Sequence, residues 1–160
     1  MRTLVTNTTP LIALTAATGG LDILRHLYDR VIVPFEVKQE LLAAGQEAVG
    51  ATAFTQAHWL DCQTQPITLS SYLSNTLDRG EAAVIQTALN LNLPLVCIDE
   101  AVGRRIARLS GLTLTGSIGI LIKAQQTGYV VSVKDGIERM REHGIWLNES
   151  LISFAMGNTH

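Results

Sequence analysis

Apolar and polar positions alternate along the chain in two rhythms. Short runs without a polar side chain recur: Leu4-Val5, Val31-Ile32-Val33 and Leu95-Val96-Cys97-Ile98. Such runs read as strands covered on both faces, as in a parallel sheet. They place strands at Arg2 to Thr6, Val31 to Val33, Trp59 to Cys62, Leu95 to Ile98 and Leu112 to Thr115. Between them lie stretches whose apolar residues repeat at helical spacing. Val37, Leu41 and Ala44 make one stripe on a helix from Phe35 to Ala44; Val84, Ile85 and Ala88 make another, shared with Glu81. Further helices are expected after Pro10, over Leu21 to Tyr28, Glu100 to Ser110, Ile118 to Thr127, Val133 to His143 and Glu149 to Met156. Gly19, Gly45, Gly111 and Gly128 stop four of them. Residues 46–57 read as a helix or irregular crossover, and the polar, Pro66-containing stretch from Gln63 to Ser71 as a loop. Strands alternating with helices predict a three-layer α/β/α domain over residues 1–160, with a central parallel sheet of about five strands.

Punctuation between elements adds candidate caps. Thr8 or Thr9 fits the start of the first helix, with Pro10 preset for its first turn, and Ser117 the start of the helix from Ile118. Asp78-Arg79-Gly80-Glu81 fits a capping box, in which Asp78 caps the helix and Glu81 reaches back. The competing reading makes Glu81 an active-site carboxylate, because it shares a face with residues that pack on the sheet. Glu40 borders its helix's buried stripe and is able to reach the sheet rim. Glu36, farther round the wheel, reads as a solvated charge.

A composition of 47% hydrophobic and 16% charged residues is that of a folded globule rather than a disordered chain. A net charge of -2 supplies no global field for nucleic acid, so any such contact must use local patches. Cys62 and Cys97 lack CxxC spacing and read as buried free thiols in a reducing cytoplasm. No signal peptide is evident, and no apolar run reaches membrane-spanning length. His26, His58, His143 and His160 are scattered without ligand spacing, and Trp59 and Trp146 read as packing residues.

Ligand chemistry in open α/β sheets sits outside the carboxyl ends of the strands. Asn7, Asp99 and Thr115 to Ser117 fall there, and Glu40 and Glu81 lie on helices turned toward the sheet. Clustered carboxylates repel and need a cation; oxygen ligands without His or Cys suit Mg²⁺ or Mn²⁺. Such a site polarises a phosphodiester and lowers the pKa of a bound water. Arg104, Arg105 and Arg108 give the helix after Asp99 a basic side, read either as a solvated face or as phosphate contacts.

Five segments, in this order, resemble the PIN-domain ribonucleases over nearly the whole chain. VTNTTPLIAL is similar to the family's first strand and acidic turn, and VIVPFEVKQELL to its second strand and glutamate-bearing helix. LDRGEAAVIQTAL is similar to the third acidic position, LVCIDEAVGRRIA to the strand ending in the next aspartate, and TLTGSIGILIKAQQTG to the following strand and helix. The match is to a small prokaryotic branch related to toxin–antitoxin ribonucleases. The resemblance implies a Mg²⁺- or Mn²⁺-dependent endoribonuclease with RNA as substrate, a small antitoxin protein as partner, and a homodimer. It implies metal-site roles for Glu40, Glu81, Asp99 and Asn7, an additional acidic role for Glu100, and supporting hydrogen bonds from Thr8 and Ser117. The segments Leu69 to Leu77 and Leu151 to Met156 would serve an interface or the core.

Asn7 departs from the family pattern, which has an aspartate there. An amide oxygen still ligates a hard cation, but it carries no charge and cannot act as a general base. The alternative is therefore a weakened PIN fold that binds RNA or a partner. A phosphotransfer domain would need a nucleophilic aspartate at the first strand end, which Asn7 does not supply.

Overall fold

The computed structural model describes residues 2–145, together with Ser153 and Gly157. The expected helix from Glu149 to Met156, except Ser153, and Trp146 and His160 therefore lie outside the described residues. Five strands form one sheet: β1 (Thr3–Thr6), β2 (Arg30–Val33), β3 (Asp61–Cys62), β4 (Leu95–Cys97) and β5 (Thr113–Thr115). Their order is β3-β2-β1-β4-β5, and every pairing is parallel. Val5 pairs with Ile32 on one side and Val96 on the other, so β1 is central. Leu4, Val5, Ile32, Val96 and Ile98 are fully buried. Each such side chain contributes about 1.5–3 kcal/mol relative to exposure, which accounts for the lack of polar residues in these runs.

Helices cover both faces. The first group is α1 (Thr8–Thr18), α2 (Asp22–Leu27), α8 (Ser117–Gln126) and α9 (Val133–Glu142), which pack on one another. The second is α3 (Phe35–Ala43), α5 (Ser71–Thr76), α6 (Arg79–Asn90) and α7 (Ala101–Leu109), with α6 against α3, α5, α7 and strands β1 and β4. A short α4 (Ala51–Gln56) lies in the connection from β2 to β3. The arrangement is the expected three-layer α/β/α fold. None of the described helices is long and apolar enough to cross a membrane.

Three local readings are corrected. The segment from Ser71 to Thr76 is a helix, not part of a loop or a plain apolar stretch. It buries only Leu73, so no apolar repeat announces it; the Ser70 hydroxyl accepts from the Leu73 N–H and supplies its cap. Helices α1 and α8 begin one residue earlier than their expected caps allow. Asn7 and Gly116 hold the N-cap positions, neither makes a side-chain cap bond, and Thr8 and Ser117 are already helical. Their hydroxyls are engaged with carboxylates instead. Glu36, read as solvated, is buried with only 3% exposure.

The chain leaves β1 toward β2 and later returns to place β4 on β1's other side. Parallel neighbours whose connections run in opposite directions open a crevice at their carboxyl ends. Here that crevice lies between the starts of α1 and α7, directly after Thr6 and beyond Ile98.

Candidate metal centre

The crevice is lined by helix beginnings. The N-terminal turns of α1, α6, α7 and α8 all bring backbone N–H groups without an intrahelical acceptor, and a positive dipole end, to this edge. Carboxylates are favoured there, and five acids meet these turns: Glu40, Asp78, Glu81, Asp99 and Glu100.

Asp78 is the N-cap of α6, and its Oδ1 accepts the Glu81 N–H at 2.9 Å. One arm of the expected capping box is thus present. Glu81 does not supply the other: its side chain is buried and lies against Gly103 of α7, where a Cβ would collide with Oε2. Asp78, Glu81 and Glu100 each offer an oxygen, and these oxygens lie within 4.8 Å of one another. Burial first, then hydrogen bonding and repulsion from Asp78 and Glu100, push the Glu81 carboxyl up to about 9. Three carboxyl groups at this distance either share protons or hold a cation. The donor set is all oxygen and carries up to three negative charges, which fits a hard divalent ion.

Glu40 and Asn7 form the adjoining part. Glu40 is exposed, but the Thr8 hydroxyl donates to its Oε2 at 2.8 Å. Its Oε1 lies against Gly80: a Cβ there would strike that oxygen and stand 3.2 Å from Asn7 Oδ1. Asn7 is buried, and its N–H donates to Cys97 O at 3.1 Å, which extends the β1–β4 pairing to the crevice floor. The neighbouring Thr9 hydroxyl donates to Glu100 Oε1 at 3.2 Å. Thr8 and Thr9 therefore connect the Glu40 part to the three-acid group.

Asp99 occupies a third position. Its Oδ1 accepts the Ser117 N–H at 2.7 Å and its Oδ2 accepts the Ser117 hydroxyl at 2.9 Å. It therefore caps α8 from the end of β4. Burial raises its pKa, opposed by the two Ser117 bonds and by Arg104. Gly116 makes this approach possible, because a Cβ there would stand 2.7 Å from Asp99 Oδ1 and 2.8 Å from Arg104 Nη1.

Arg104 departs from the expected basic side. It is half-buried, and Nη1 donates to Ile98 O at 2.7 Å and Thr115 O at 3.3 Å, filling acceptors at the ends of β4 and β5. Arg105 and Arg108 are exposed. Neither Glu40 nor Asp99 belongs to the three-acid group, whereas Asp78 does. Asp78 was legible in the sequence only as a cap; capping uses one oxygen and leaves the other for a second partner.

Two of the histidines are engaged elsewhere: His26 bonds Thr127 at 2.9 Å, and His143 bonds Arg139 O at 2.8 Å. Cys62 is half-buried and Cys97 buried, both as free thiols.

Among curated proteins, none matches the sequence. A family model described as a PIN domain matches residues 3–159.

Proposed function

The chain belongs to the PIN-domain family, and from that premise we propose that it is a Mg²⁺- or Mn²⁺-dependent endoribonuclease. The observation that carries this reading is the group formed by Asp78, Glu81 and Glu100 at the β1–β4 crevice, with Asn7 and Glu40 beside it. A bound divalent ion would polarise a phosphoryl oxygen and lower the pKa of a coordinated water.

The chain's own residues supply the rest. Asp78, Glu81 and Glu100 would hold the ion, and the Thr9 hydroxyl fixes the orientation of Glu100. Thr8 occupies one Glu40 oxygen and leaves the other turned toward Asn7 and Gly80, where it is able to accept a proton from an attacking water. Asp99 holds the start of α8 through both Ser117 bonds, and so sets the far wall of the crevice. Arg105 and Arg108, exposed on the helix that starts at this edge, would contact phosphates.

The second reading, a module that binds RNA or a protein partner without cutting, is favoured by Asn7. Its amide takes the buried strand-end position without charge. A toxin-like role, an antitoxin partner and a homodimer remain part of the first reading as proposals.

The two readings separate on a labelled single-stranded RNA incubated with Mg²⁺ or Mn²⁺. Cleavage that EDTA stops supports the nuclease. Binding without cleavage on several RNAs supports the module.

A further inference from the structure

Glu36 stands in the first turn of α3 and is 3% exposed. A buried carboxylate is costly unless both oxygens are satisfied. Its Oε2 accepts the Ile67 N–H at 2.9 Å. Its Oε1 is buried and has no hydrogen-bond partner among the described residues. Glu36 lines a cavity of about 150 Å³ between the start of α3, the segment at 63–67 and the end of α6. The side chains of Gln63, Gln65, Thr87 and Asn90 add amides and a hydroxyl to the same walls, and Phe35 and Ile67 add apolar surface.

We propose that this cavity is a base pocket for single-stranded RNA with a preference for guanine. The inference rests on the reading of the chain as an RNA-acting protein. Glu36 and Glu40 are four residues apart on α3, about 6 Å along its axis. Helices α3 and α6 pack together, with Gly80 against Glu40 and Thr87 at the Glu36 cavity. The pocket and the carboxylate edge thus lie on the same two packed helices, one turn apart along α3, so a base close to the scissile bond would be the one to enter.

The donor pattern selects the base. An ionised carboxylate only accepts. Guanine presents N1–H and the N2 amino group side by side on its Watson–Crick edge. Adenine and cytosine place one amino donor next to a ring acceptor, and uracil sets one donor between two carbonyl oxygens. A carboxylate oxygen therefore favours guanine and disfavours uracil. The amides of Gln63 and Gln65 are able to turn toward either donors or acceptors. Asn90, whose Oδ1 accepts from Gln86 Nε2 at 3.0 Å, keeps its amino group to donate, and apolar walls suit the faces of a ring.

The test is fluorescence anisotropy of the full chain, in EDTA, with a labelled adenine-rich RNA holding one guanine, or inosine or uridine in its place. Guanine should bind about tenfold or more tighter than uridine, the scale of one good base contact. Inosine, which lacks the N2 amino group, should fall between. Both differences should vanish in Glu36→Gln, which keeps an oxygen for the Ile67 N–H. Asn90→Ala, at an exposed position, should reduce them and serves if the first variant does not fold. Equal affinity for the three RNAs, or a guanine preference kept by Glu36→Gln, would overturn the pocket. Cleavage of the same RNAs with Mn²⁺ keeps the two proposals apart. Cleavage without base preference overturns the pocket alone, whereas guanine preference without cleavage overturns the nuclease alone.

Discussion

The Thr9 hydroxyl donates to Glu100 Oε1 at 3.2 Å, across the crevice between the starts of α1 and α7. Two residues distant by 91 positions are thus joined where β1 and β4 end. The bond orients a carboxylate of the three-acid group without entering it. Thr9→Val should cost less than about 1 kcal/mol of stability, since the pair is exposed. It should weaken Mn²⁺ binding by about tenfold, the usual effect of removing a hydrogen bond that orients a ligand. Thermal unfolding and calorimetric Mn²⁺ titration measure the two separately.

Two glycines should respond differently to alanine. At Gly103 a Cβ would collide with the buried Glu81 carboxylate and stand 2.9 Å from Ile98 Cγ2. Neither neighbour has room to move, so Gly103→Ala should destabilise the fold by about 1–3 kcal/mol. At Gly80 the colliding group is the end of the exposed Glu40 side chain, which is able to swing away by giving up its Thr8 bond. Gly80→Ala should leave stability within about 1 kcal/mol of the parent while displacing Glu40 and lowering any metal-dependent cleavage. Denaturant unfolding and a cleavage assay on both variants check the contrast.

The Glu81 carboxyl is raised to about 9, by burial first and by Asp78 and Glu100 next. In the unfolded chain it titrates near 4.3. Between these values the folded state holds a proton that the unfolded state has released, so this contribution to stability falls as pH rises. Metal-free protein should therefore lose melting temperature from about pH 4.3 toward pH 9. Glu81→Gln should flatten that decline, and saturating Mn²⁺ should offset it in the parent. Melting curves at several pH values, in EDTA and in Mn²⁺, test the sign.

Arginines on α7 should divide by where they point. Arg104 donates to Ile98 O and Thr115 O, so Arg104→Ala should cost about 1.5–3 kcal/mol. Arg105 and Arg108 are exposed, and their joint replacement by Ala should leave stability nearly unchanged. If they contact phosphates, the salt dependence of RNA binding should drop by about 0.7 in log–log slope per lost contact.

Much of this fold was legible because burial leaves a strong mark on parallel strands. Leu95 to Ile98 had only one way to be covered, and Gly19, Gly45, Gly111 and Gly128 all take the left-handed conformation that ends a helix. The site was legible in part. Strand-end positions located Asn7 and Asp99, and the wheel turned Glu81 inward. Spacing along one helix could not reveal that Asp78, Glu81 and Glu100 meet, because that depends on how α7 packs against α6. Arg104 was misjudged for the same reason: its partners are strand-end carbonyls, which only the sheet brings near. Ser117 gives the supporting hydrogen bond expected of it, to Asp99, but it is not the cap of α8. Glu36 looked solvated on the wheel of α3, but the segment at 63–67 folds over it and supplies the Ile67 N–H.

Glu81 is the buried member of the three-acid group, so its replacement tests the centre most directly. The measurement is cleavage of a labelled RNA across a Mn²⁺ titration by the parent, Glu81→Gln and Asn7→Asp, purified identically. The parent should cut only with the ion present. Glu81→Gln should cut at least about a hundredfold more slowly, and Asn7→Asp, which adds a hard carboxylate ligand, should match or exceed the parent at lower Mn²⁺. Equal cutting by the parent and Glu81→Gln, or no cutting by any of the three on several RNAs, would contradict a metal-dependent nuclease centre at this crevice.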